Sequence, residues 1–86
     1  MKVTLGDIRK KFDALQSGGE SREEVADFAL RAMQADDAGT LEMEPVFSDK
    51  IWKAIIYLSG VDLKDTPRTY LHSVANFVEV REGLGI

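Results

Sequence analysis

The chain has no cysteine among its 86 residues, only two prolines, one tryptophan and one histidine. Each shortage closes off a class of function. Without cysteine there is no disulfide framework, thiol nucleophile or thiolate metal site, and nothing marks an oxidising compartment. The single histidine, His72, leaves one candidate general base, and only the adjacent Ser73 stands beside it as a nucleophile. Side chains of consecutive residues rarely face each other, and Ser73 has a better use as a helix cap, so the pair gives no basis for catalysis. No Gly-x-Gly-x-x-Gly or Gly-x-x-x-x-Gly-Lys loop occurs, and Asp36-Asp37-Ala38-Gly39-Thr40-Leu41-Glu42 lacks the alternating acids of a calcium loop. Glu42 and Glu44 form no fixed carboxylate pair. No run approaches the ~20 apolar residues of a membrane span, and Met1-Lys2-Val3-Thr4-Leu5-Gly6-Asp7 lacks the continuous apolar stretch expected of a signal peptide. The expectation is one cytoplasmic domain over residues 1–86, with no enzymatic activity, no cofactor and no metal.

What is present is enough apolar material for a small core and an excess of acid. Hydrophobic residues make up 44% and charged ones 30%, a globular balance. Fifteen acids against eleven bases give −4, and the distribution along the chain is uneven. Residues 1–19 carry +2 and residues 50–86 carry +1, whereas residues 20–49 hold nine acids against Arg22 and Arg31, a net −7. A strong local negative field repels nucleic acid and anionic lipid and attracts basic surfaces. It is also compatible with a merely solvated face. The partner expected on this ground is a basic protein, with neither nucleic acid nor membrane bound.

Apolar spacing predicts an all-α fold, a compact bundle of about four helices. Leu5, Ile8, Phe12 and Leu15 recur at helical spacing behind Thr4 and Asp7, and Ser17-Gly18-Gly19 stops that helix. Ser21-Arg22-Glu23-Glu24 is a capping box, followed by Val25, Phe28, Ala29, Ala32 and Met33 on one face. Pro45 suits the first turn of a third helix, with Ser48 as an alternative cap, and Ile51, Trp52, Ile55, Ile56 and Leu58 make it apolar nearly all round. Thr66-Pro67 reads as the start of a short helical turn reaching Leu71, and Ser73 caps a last helix. Val78-Glu79-Val80-Arg81 also alternates with period two, so an edge strand beside Lys2-Val3-Thr4 competes with helix over 76–81. Helices are expected near 4–17, 22–35, 45–59 and 73–82, around Phe12, Leu15, Phe28, Met33, Trp52, Ile55, Ile56 and Phe77. Leu41, Met43, Val46 and Phe47 are read as satellite core in the acidic segment.

Ser21-Arg22-Glu23-Glu24-Val25-Ala26, Ile51-Trp52-Lys53-Ala54, Leu58-Ser59-Gly60-Val61-Asp62-Leu63 and Tyr70-Leu71-His72-Ser73 together give SREE-x-A, IW-x-A, LSG-x-DL and YLHS patterns. In these the chain resembles small acidic bacterial immunity proteins of contact-dependent growth inhibition and Rhs-type polymorphic toxin systems. The resemblance implies a toxin inhibitor, monomeric when free, that binds a cognate toxin of basic surface by occlusion and without catalysis. The alternative is an acidic adaptor or regulatory module. Specificity is then expected outside the signatures, on Asp36, Asp37, Glu42, Glu44 and Asp49, with Tyr57, Asp62 and Asp65 as secondary contacts. Glu20, Glu23 and Asp27 are set aside as acids that serve their own helix.

Overall fold

The computed structural model describes all 86 residues, and three of its four α-helices begin where short polar side chains satisfy their first N–H groups. The first, α1 (Leu5–Ser17), starts with the Thr4 hydroxyl accepting from the Asp7 N–H while the Asp7 carboxylate accepts from the Thr4 N–H. The second, α2 (Arg22–Asp37), repeats the device with Ser21 and Glu24. The third, α3 (Ser48–Leu58), follows a single 3-10 turn at Pro45–Phe47, so the expected 45–59 helix is two pieces. The fourth, α4 (Val74–Leu84), is boxed by Ser73 and Asn76. Residues 76–81 are therefore helical. The cap at Ser73 satisfies donors that an edge strand would leave to solvent, and this outweighs the four-residue alternation.

The fold is mostly helical, as expected, but it also carries two small sheets. Strands β1 (Lys2–Val3) and β2 (Glu42–Met43) pair in parallel, Lys2 opposite Glu42 and Val3 opposite Met43. Strands β3 (Lys64–Thr66) and β4 (Thr69–Tyr70) form an antiparallel hairpin. Thr66-Pro67 starts no helix; Pro67 and Arg68 make the hairpin turn instead, a place where the fixed φ of proline is also acceptable.

In the core, α3 packs on α2, and α1 lies against α3 and α4. The α2 contribution is small: Ala26, Ala29 and Ala32 are buried and let α3 approach closely. Of the expected core, Phe12, Leu15, Ile55 and Phe77 are buried, while Phe28, Met33 and Trp52 are half-buried at its margin. Ile56 is 49% exposed. With Ile51, Ala54, Ile55 and Leu58 turned inward, the next residue after Ile55 must point away. Leu41, Met43 and Phe47 pack against the core, but Val46 is 87% exposed. No helix is long and apolar enough to cross a membrane.

Candidate functional site

The Lys64–Tyr70 hairpin stands out because nothing apolar holds it and yet it is firmly clamped. Every residue from Lys64 to Thr69 is exposed. Its base is closed by the Leu71 N–H, which donates to the Leu63 carbonyl at 2.9 Å. The register slips between Lys64 and Thr66, leaving Asp65 without an opposite residue; such bulges add twist and re-aim neighbouring side chains. The guanidinium of Arg22 lies over the Tyr70 ring at 4.2 Å and the Phe77 ring at 4.8 Å, and it also donates to the His72 carbonyl. Tyr70 Oη donates to Glu23 Oε1 at 2.7 Å. That bond holds the Glu23 carboxyl below the usual range and raises the Tyr70 phenol, because it favours the pair with the proton on oxygen of tyrosine.

The hairpin displays two cations that have no acidic partner. The ion pairs of the molecule are Lys11–Glu20, Arg31–Asp27 and Arg81–Asp13, so Lys64 and Arg68 make none, as is also true of the exposed Lys2, Arg9, Lys10 and Lys53. Lys64 Nζ stands 5.5 Å from the Tyr70 ring centre, and Arg68 sits in the turn. A guanidinium and an ammonium on one exposed element are matched in chemistry to phosphate oxygens.

The residues singled out from sequence are divided by the structure. Asp36 and Asp49 come together across an open cavity of about 330 Å³ that Met43, Ser48 and Trp52 also line. Asp37 and Glu42 are exposed. Glu44 has a structural use, since its carboxylate accepts from the Leu5 N–H at 2.7 Å and ties the 42–47 segment to the start of α1. Tyr57 is half-buried: its ring stacks with Phe12 at 6.2 Å and meets His72 at 5.1 Å. The Tyr57 hydroxyl is buried without a hydrogen-bond partner, and this burial pushes the phenol up. Asp62 is half-buried after α3, and Asp65 is exposed in the hairpin. Among the acids set aside, Glu20 pairs with Lys11, Asp27 pairs with Arg31 and Glu23 anchors the hairpin. The residues that sequence reasoning passed over are Arg22, Lys64, Arg68 and Tyr70. Their signal was two like charges four apart around Thr66-Pro67, hidden because that dipeptide resembles a helix start.

Comparison with known proteins bears on this geometry directly. The family model described as "YxzC DNA-binding protein" matches residues 2–82. A Bacillus subtilis (strain 168) protein named "Uncharacterized protein YxzC" is 44% identical over 72 residues, covering 84% of this chain and 54% of that protein. The chain thus spans about half the length of the curated relative it matches. No solved structure matches it. The family match overturns the resemblance to toxin immunity proteins, and with it the toxin-inhibitor role, the toxin partner and the exclusion of nucleic acid. The partner expectation rested on the −7 of residues 20–49 alone, although residues 50–86 carry +1. The SREE-x-A and YLHS patterns that carried the resemblance include the Ser21 and Ser73 caps and the Arg22, Glu23 and Tyr70 clamp.

Proposed function

Because the chain belongs to the YxzC DNA-binding protein family, we propose that it binds duplex DNA and that the Lys64–Tyr70 hairpin is the contacting element. The observation that carries this reading is the display of Lys64 and Arg68, exposed and free of carboxylate partners, on a clamped hairpin. Cations that reach phosphates release condensed counterions, and this supplies sequence-independent affinity. The −7 stretch over residues 20–49 works against it, since phosphates are repelled from any approach on that side. An acidic chain with a small cationic projection therefore binds DNA weakly and in one orientation. With contact confined to the two cations of the hairpin, the salt dependence is shallow by comparison with strongly basic domains.

The test is fluorescence anisotropy of a labelled duplex with the purified chain, at roughly 50 and 200 mM salt. Saturable binding that weakens at the higher salt is expected. The double variant K64E/R68E should lose it while circular dichroism stays unchanged, because both side chains are exposed. Absence of binding at the lower salt, or binding indifferent to the double charge reversal, would overturn the proposal.

A further inference from the structure

We infer that the hairpin enters the minor groove of A·T-rich DNA, with Arg68 as the reading group and Pro67 as an apolar wedge. This inference rests on the DNA-binding reading above and specifies the groove and the sequence class. Four observations carry it. First, the leading edge is narrow: two residues, Pro67 and Arg68, connect the strands, with Thr66 and Thr69 directly behind them as an opposite pair. A two-stranded ribbon laid flat, like an α-helix, fills the major groove, ~12 Å wide, whereas the same ribbon entering by its two-residue tip is suited to the ~6 Å minor groove. Second, the tip carries a donor-only group. A·T pairs show only acceptors in the minor groove, while a G·C pair adds a guanine amino donor that faces an arginine unfavourably. Narrow A·T tracts also concentrate negative potential that draws arginine in. The hairpin has no Asn or Gln to read adenine from the major groove.

Third, Pro67 is exposed at the turn. Its ring is apolar and brings no N–H to desolvate, and proline is among the side chains that wedge between base steps from the minor groove. Fourth, the hairpin is held before any DNA arrives. Arg22 between the Tyr70 and Phe77 rings, the Tyr70–Glu23 bond and the Leu71–Leu63 bond fix its base, so little ordering is left to be done on binding. Lys64, one register step back from the tip, is placed for a flanking phosphate and not for a base.

The experiment compares two labelled duplexes of equal length, one centred on an A·T tract and one on a G·C block, with the wild-type chain, R68A, R68K, P67A and K64A. Netropsin serves as a minor-groove competitor, and end-labelled duplexes report bending by energy transfer. The wild type is expected to prefer the A·T duplex by roughly tenfold, to be displaced by netropsin and to shorten the end-to-end distance. R68A should lose the preference and R68K should keep only part of it. P67A should bind without the bend, and K64A should weaken both duplexes alike. Equal affinity for the two duplexes together with insensitivity to netropsin would overturn the minor-groove inference while leaving DNA binding in place. Failure to bind either duplex at low salt would remove both readings.

Discussion

The Tyr70 phenol donates a 2.7 Å hydrogen bond to the carboxylate of Glu23, so the hairpin and the first turn of α2 are joined although 47 residues separate the two in sequence. The bond lowers the pKa of one partner and raises that of the other. A carboxyl with a depressed folded pKa binds fewer protons when folded, so its stabilisation is present above its unfolded pKa and fades as pH falls through the folded value. The phenol runs the other way, complete below its unfolded pKa and lost as pH rises through the raised folded value. The clamp is therefore intact at neutral pH and loosens toward both extremes. Carbon-detected NMR titration should show Glu23 protonating at a lower pH in the wild type than in Y70F. Identical titrations in the two proteins would show that the bond does not persist in solution.

Tyr57 gives a prediction of opposite sign to most tyrosine deletions. Its hydroxyl is buried without a partner while its ring keeps the contacts to Phe12, His72 and Phe77. Removing an unsatisfied buried polar group relieves a desolvation cost of about 1–3 kcal/mol at most. Tyr57→Phe should accordingly unfold at the same or higher urea concentration. A loss of stability would mean that the hydroxyl has a partner in solution.

The core makes a contrast between adjacent isoleucines. Ile55 is fully buried and Ile56 is 49% exposed. Ile55→Ala should cost about 2–5 kcal/mol, and Ile56→Ala far less. Trp52, half-buried beside the Asp36–Asp49 cavity, should fall between the two. Chemical denaturation ranks the three, and a larger loss at Ile56 than at Ile55 would put the phase of α3 in error.

Glu44 is expected to matter for stability and not for binding. Its carboxylate satisfies the Leu5 N–H at the opening of α1, where a negative group also meets the favourable end of the helix dipole. Glu44→Ala should cost roughly 1–2 kcal/mol and leave DNA affinity unchanged. A stable variant with altered DNA affinity would contradict both halves of that assignment.

The acids at the end of α2 should oppose DNA. Asp36 and Asp37 stand exposed in its last turn, which holds no basic residue. Replacing both by Lys removes a repulsion, so DNA association should be unchanged or faster, with the gain largest at low salt. Weaker binding would show that these carboxylates take part in recognition.

The elements that could be read from the sequence are those whose cause lies within a few residues. The caps at Thr4, Ser21 and Ser73 act on N–H groups three positions away, and the stop at Gly18 needs only its own left-handed φ of 77°. Ile55-Ile56 was not legible, because two adjacent apolar residues do not say which turns inward; the alanines of α2 decide that from outside the helix. The hairpin was hidden for the same reason in a stronger form. Lys64 to Thr69 has no apolar period, and its support comes from Arg22 and Glu23. The candidate site went unread with it, since the acidic total drew attention to residues 36–49 and away from two cations on a turn.

The central claim is that DNA meets this chain at the hairpin and nowhere on the acidic stretch. Titration of an unlabelled duplex into the ¹⁵N-labelled chain, followed by amide chemical shifts, tests it most directly. The account predicts the largest changes at Lys64, Thr66, Arg68 and Thr69, smaller ones at the Arg22–Glu23 anchor, and none at Asp36, Asp37, Glu42 or Asp49. A spectrum that does not move at low salt, or that moves chiefly over residues 36–49, would contradict it.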